Sequence, residues 1–374
     1  MHSGNGGCWP ATRFRVLPRM TAVATLAATL ALALGLVLVA LAYVDPPPAH
    51  AGDGDLALYG RIVARLHAGE PYYTAAHAEL IAGHYDMLSV ANWRTPLYPW
   101  LLSRLPSVDV AQAGLMLLAL ISGAAGVLLT LREANRTVAI IAGALFLVTL
   151  SGTIAPGTVL YSEYASGLLI LFSASAYGLG WRGSGIVAGA AALFVRELAA
   201  PYVLVSLVLA WREKRWREVA MWLAVITAYA AFYAWHYAMV HALLGPTDMA
   251  HPSGWLRFGG ASFMLSAASF NGVLTAAPMW VSALLLPLAV LGLLAWPSRA
   301  DIRIVSTVFA YLLAFAFVGK PLNRYWGEMC TPLLTFGLAW ALPALDNLAR
   351  AVTATHRARG APRFRVPACR GRCR

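Results

Sequence analysis

Two acids, Asp53 and Asp55, stand one glycine apart in "AGDGDLALYGRIVARLHAGEPYY" (51–73), just past an apolar run that ends near residue 44. A carboxylate at such a membrane lip can act as a general base, taking the proton of a hydroxyl as it attacks. It can also cap a helix, and Asp55 is placed to do so. Leu56, Tyr59, Ile62, Val63 and Leu66 recur at helical spacing, Arg61 and Arg65 share the opposite face, and Gly69 ends the pattern. The other charged residues that stand out are Arg94 in a Pro-flanked loop, Glu163 before an apolar run, Arg196 and Glu197 inside another, and Lys320 and Arg324 in "KPLNRYWGEM". In a chain that is 60% hydrophobic and 12% charged, each needs a partner or a task.

The composition fits an all-α polytopic membrane protein, since soluble domains carry about twice this charge. Candidate spans of the length needed to cross a bilayer fall near 21–44, 110–131, 137–155, 164–181, 219–241, 279–296, 303–319 and 331–346. The stretch 185–211 holds Arg196, Glu197 and Pro201, and reads as a short hairpin turning at 196–201. Counting its two arms gives ten spans with both ends inside. With this layout 20 of the 28 Lys and Arg residues lie on inner segments, the positive-inside pattern. The net charge of +12 is thereby an orientation signal, and no nucleic-acid partner is required.

The chain divides into a basic inner N-terminus (1–20), one transmembrane unit (21–346) and an Arg-rich inner tail (347–374) expected to be disordered. Its long outer loop, 45–108, should hold interfacial helices at 56–68, 75–83 and 97–105, the first lying apolar side down on the membrane as part of a roof over a cavity. Ala49-His50-Ala51 resembles a signal-peptidase site, but the run 21–44 exceeds a signal h-region and reads as an anchor. Cys8, Cys330, Cys369 and Cys373 have neither zinc-finger nor redox spacing. His67, His77, His84 and Asp86 lack compact ligand spacing, so no metal site is expected.

"DLALYGRIVARLHAGEPYY" after the first span resembles the opening outer loop of the GT-C superfamily of membrane glycosyltransferases, which use polyprenyl-phosphate-sugar donors. The family 87 mannosyltransferases and protein-mannosyltransferase-like enzymes are the most similar branches. Asp55, Tyr59, Gly69 and Tyr72 or Tyr73 fill the loop's pattern, and Arg94, Pro96, Tyr98 and Pro99 resemble its Arg-x-Pro-Leu-Tyr-Pro stretch. "LYSEYASGLLI" with Glu163, "FVRELAAPY" and "NRYWGEMCTPLL" resemble later segments in the same order. Asp-Gly-Asp stands where the protein-mannosyltransferase branch has Asp-Glu, which leaves open whether Asp53 or Asp55 acts.

The resemblance implies transfer of a mannose-like or pentose sugar from a polyprenyl-phosphate carrier to an acceptor hydroxyl on a glycan, lipid or protein. It implies an inverting displacement at the outer face of a bacterial inner membrane. Asp55 or Asp53 would be the base. A phosphate leaving group needs positive charge rather than a second acid, so Arg324 would hold it, with Lys320, Arg196 and Arg94 as further candidates. Tyr59, Glu163 and Tyr325 would bind substrate. The expected partners are the lipid-linked donor, the acceptor and the bilayer. No cofactor is implied, although some members use a divalent ion. Read from the residues alone, Arg94 could equally form a loop salt bridge with Asp86 or Glu70, and Arg196 and Glu197 a structural pair. Two other functions fit a multi-span chain: a transporter or flippase of lipid-linked glycans, and a non-catalytic subunit of an envelope complex.

Overall fold

A computed structural model describes residues 9–44, 54–246, 248, 258–298, 300–319 and 321–353. Asp53, Lys320, the Ala49-His50-Ala51 stretch and all but the start of the tail lie outside them. The structure is 83% helix, with no strand among the described residues. Among the described residues fifteen α-helices follow in order: α1 (Arg19–Ala42), α2 (Gly54–His67), α3 (Tyr72–Ala82), α4 (Val90–Trp93), α5 (Leu97–Ser103), α6 (Val108–Glu133), α7 (Arg136–Leu150) and α8 (Ser162–Leu179). Then come α9 (Arg182–Val195), α10 (Ala200–Arg212), α11 (Trp216–His241), α12 (Gly260–Ser269), α13 (Met279–Ala295), α14 (Ala300–Phe317) and α15 (Thr331–Thr353). Among the described residues α1, α6, α7 with its extension to Ile154, and α11 are long and apolar enough to cross a membrane. The bent pair Leu322–Met329 and α15, which turns by 63°, makes a possible fifth. The protein is therefore membrane-embedded and all-α.

Helices stand at each of the ten places the hydropathy marks. The stretch 185–211 breaks where expected: α9 ends at Val195 and α10 begins at Ala200, with a 3-10 turn at Glu197–Ala199. At 14 and 13 residues these arms are about 20 Å long, short of a bilayer's apolar thickness. They also take different neighbours, α9 lying along α8 and α10 along α11 and α14. The last helix runs on to Thr353, so the tail is helical at its start.

The described part of the loop 45–108 forms helices near the expected places, but not with the expected face on lipid. Leu58 and Ile62 of α2 are buried against Tyr72, Tyr73, Leu80 and Trp93, and Val63 against Tyr98, Leu102 and Leu168. The apolar stripe of α2 is thus buried in protein, because α3 and α5 fold onto it from both sides. Its polar side is pinned by Arg61–Glu79 at 2.7 Å and Arg65–Glu70 at 3.0 Å.

A 3-10 segment, Pro321–Met329, carries Arg324 and Tyr325 and is wedged between α8 and α12. Two glycines allow the approach. A Cβ at Gly167 would lie 2.0 Å from the Glu328 carbonyl oxygen, and one at Gly327 would lie 1.8 Å from that of Ala267. Gly→Ala inside an exposed helix normally stabilises by about 1 kcal/mol. At Gly167 the sign should reverse, with Gly167→Ala destabilising by about 1–3 kcal/mol through overpacking. Gly114→Ala in α6, where a Cβ meets nothing within 4 Å, should be neutral or stabilising. Thermal melts in detergent compare the two.

Candidate functional site

Asp55 lies in the first turn of α2, one residue inside it, and its side chain is engaged by tertiary partners rather than as the expected N-cap. Its Oδ1 accepts a hydrogen bond from the Tyr85 hydroxyl and its Oδ2 one from the Tyr325 hydroxyl, each at 2.8 Å. Tyr85 follows α3, whereas Tyr325 sits 270 residues from Asp55 in the 3-10 segment. Each carboxylate oxygen has a second lone pair, so an accepting position remains on both. Burial and the neighbouring Asp55 carboxylate push the Tyr85 phenol well above its ordinary pKa, and it stays a neutral donor.

Arg94 links this carboxylate to the rest of the site. Its Nε and Nη2 donate to the Tyr59 hydroxyl at 2.8 and 2.6 Å, Nη2 also donates to the Tyr325 hydroxyl at 3.0 Å, and Nη1 donates to Glu163 Oε1 at 3.1 Å. Neither Asp86 nor Glu70 pairs with it, because Asp86 turns back to the Leu88 N–H and Glu70 takes Arg65. The Arg94 backbone has φ 58° and ψ 162°, a region that suits glycine. Tyr72 holds it there, donating to the carbonyls of Trp93 and, at 3.1 Å, of Arg94. Such a conformation costs about 1–3 kcal/mol and persists where surroundings over-determine it.

Glu163, fully buried at the start of α8, meets a second guanidinium: Arg196 Nε lies 2.8 Å from the same Oε1. Arg196 is 2% exposed and also pairs with Glu197. The Arg196–Glu197 pair is therefore part of a four-membered ion cluster with Arg94 and Glu163.

Arg324 is half-buried, 5.8 Å from the Phe270 ring centre, and none of the described carboxylates pairs with it. Its charge acts on Tyr161, whose ring lies 5.0 Å from that of Tyr325. Burial first, then Asp55 and Glu163, raises the Tyr161 phenol to about 12. The structure thus brings together Asp55, Tyr59, Arg94, Glu163, Arg196 and Tyr325, with Arg324 one aromatic layer away. His67 and His77 take different partners: His67 bonds the Ser103 carbonyl at 3.0 Å, and His77 contacts Asp248 at 3.4 Å. Among the described residues no group of three or more His, Cys, Asp or Glu could hold a metal ion.

Sequence reasoning did not find Tyr85, an isolated tyrosine after a helix with no pattern to mark it. It also missed Tyr161 and the narrow cleft beside Arg94, bounded by α2, α5 and the Val195–Glu197 turn. Chemically, the arrangement offers an oriented carboxylate, two guanidiniums committed to carboxylates, and a third, Arg324, that none of the described carboxylates engages.

The strain at Arg94 can be isolated from its side chain. Arg94→Ala and Arg94→Gly both delete the guanidinium, and only glycine relaxes the backbone. Arg94→Gly should be the more stable by about 1 kcal/mol, after its larger chain entropy is offset. Chemical denaturation of both variants measures the difference.

Compared with models of protein families, with curated proteins and with solved structures, the chain matches none.

Proposed function

We propose that this protein is an integral membrane glycosyltransferase of the GT-C type, with ten spans and its site facing the periplasm of a bacterial inner membrane. One observation carries the reading. Asp55, Arg94, Glu163, Arg196 and Tyr325 come from separate segments that the charge distribution puts on the outer face, and they meet in one hydrogen-bonded group. A second, inner-side group of Tyr177, Arg215, Glu218 and Arg303 gathers at the other end of α8. Glu163 and Tyr177 are 14 residues apart in α8, hence separated by about 21 Å along its axis. Two polar layers separated in this way agree with the proposed orientation.

The donor is a mannose-like or pentose sugar on a polyprenyl phosphate, and the acceptor is a hydroxyl of a glycan, lipid or protein. Asp55 takes the acceptor proton as its oxygen bonds to C1, while the bond from C1 to the phosphate oxygen breaks with its electron pair. Polyprenyl phosphate leaves with the added negative charge, which Arg324 stabilises, assisted by Lys320. Tyr85 and Tyr325 fix the carboxylate's direction through its two oxygens. Arg94 and Arg196, already paired with Glu163 and Glu197, shape the site instead of binding phosphate directly. Tyr59 holds Arg94 in place.

Transfer from a panel of radiolabelled polyprenyl-phosphate sugars in proteoliposomes tests the reaction. Asp55→Asn should lower the rate by about 10²–10⁴-fold, the usual contribution of a general base, whereas Asp53→Asn should retain most of it. Wild-type rates in both variants would refute the base. Orientation is checked separately with Leu198→Cys and Lys214→Cys in intact cells. A membrane-impermeant maleimide should label only position 198, and labelling of 214 from outside would invert the layout.

A further inference from the structure

The dipeptide Trp-Arg occurs four times in the chain. One copy, Trp93-Arg94, belongs to the site described above. The other three, Trp181-Arg182, Trp211-Arg212 and Trp216-Arg217, stand at the start of α9, the end of α10 and the start of α11, and all six side chains are exposed. Two contacts bring these helix ends together. The Tyr177 hydroxyl at the end of α8 donates to Glu218 Oε1 of α11 at 2.8 Å. Gly189 of α9 packs on Trp222 of α11 so closely that a Cβ would lie 2.7 Å from the indole. Gly189 is seven residues past Arg182 and Trp222 six past Trp216, hence about 10 and 9 Å along their axes from the two starts. The starts of α9 and α11 therefore lie at one level, and α10 joins α11 through Glu213, Lys214 and Arg215 alone.

The charges at this end do not cancel. Glu213 and Glu218 both pair with Arg215, each at 3.1 Å, and Arg303 approaches Glu218 at 3.7 Å. Arg182, Arg212, Lys214 and Arg217 are left exposed, and none of the described carboxylates pairs with them. Along the three helices, away from these ends, the exposed surface turns apolar, with Val187 on α9, Leu204 and Val208 on α10, and Met221 and Leu223 on α11. Cation, indole and apolar side chain thus follow one another in the order of phosphate, ester region and acyl chain in a lipid. The arms α9 and α10 are also shorter than a bilayer's apolar thickness, a mismatch met by thinning of the bilayer and by snorkelling of the flanking residues.

We propose that this end of the molecule binds anionic phospholipid headgroups, with their phosphates on Arg182, Arg212 and Arg217 and the rings of Trp181, Trp211 and Trp216 at the ester level. A guanidinium forks onto two phosphate oxygens, and an indole has an apolar body with one N–H donor, so each pair matches both parts of an interfacial phosphate. A zwitterionic headgroup brings its own ammonium, which four unpaired cations repel. An anionic headgroup brings none, and Lys214 adds to its attraction. A soluble polyanion would meet the same charges but leave the indoles and the apolar surface beside them without a use. The surface lies at the end of α8 away from Glu163, so it does not depend on the proposed transfer reaction.

The test places the full chain in phosphatidylcholine nanodiscs with a trace of spin-labelled phosphatidylglycerol or spin-labelled phosphatidylcholine, read by electron spin resonance. The fraction of label immobilised by the protein should be larger for phosphatidylglycerol. Arg182→Gln, Arg212→Gln and Arg217→Gln should each lower that preference by up to about fivefold, the worth of one Lys or Arg near an anionic surface. Together they should remove it, and the single variants decide the matter if the triple one does not fold. Trp211→Ala, at unchanged charge, should lower the preference as well, which a diffuse basic surface would not show. Arg104→Gln, at an exposed arginine beside the Tyr98 and Leu102 cluster near the other end of α8, should leave it unchanged. Equal immobilisation of the two lipids by the wild type would overturn the proposal. So would a preference that survives the triple variant or ignores Trp211→Ala. Loss of the preference on adding heparin or inorganic phosphate at constant ionic strength would assign the surface to a soluble anion instead.

Discussion

The carboxylate of Glu163 has no exposed surface and is shared between two guanidiniums, and this end of the molecule is organised around that sharing. Taking an ion out of water costs several kcal/mol, repaid only when partners are close and well directed. Removing one partner of such a pair typically costs about 3–5 kcal/mol. Here the partners come from the loop between α4 and α5, through Arg94, and from the break between α9 and α10, through Arg196. Neither segment can shift without leaving a buried charge unpaired. The two are thereby fixed to the start of α8, although the chain connecting them crosses the fold several times.

The positive φ at Arg94 belongs to this arrangement. In that conformation the guanidinium reaches Glu163, Tyr59 and Tyr325 together, and Tyr72 secures the Arg94 carbonyl. Tyr325 then transmits the constraint onward, accepting from Arg94 and donating to Asp55. The strained residue and the oriented carboxylate are linked through one phenol. A strained backbone beside oriented polar groups is a common property of working sites, and here its source can be traced bond by bond.

Much of the fold could be read from the sequence because membranes impose simple rules. Apolar length marked where helices stand, and Pro201 with the Arg196–Glu197 pair marked the break in 185–211. What failed was local reasoning about polar partners. Asp55 looks like an N-cap because capping depends on near neighbours, yet its oxygens went to Tyr85 and Tyr325, 30 and 270 residues away. Arg94 has acids close by in sequence, but its carboxylate is 69 residues distant. The amphipathic stripe of α2 was legible, whereas its burial in protein was not, since hydropathy cannot distinguish a lipid from a leucine.

Charge accounting makes the two sides of Asp55 unequal. Guanidiniums that already face carboxylates have most of their field cancelled, so proximity to Arg94 or Arg196 gives an incoming anion little. Arg324 is different, because none of the described carboxylates pairs with it and the Phe270 ring beside it cancels none of its charge. An anionic group approaching Asp55 would therefore gain more from Arg324 than from either paired guanidinium. That asymmetry comes from the pairing pattern alone, and any substrate pair acted on at Asp55 would have to respect it.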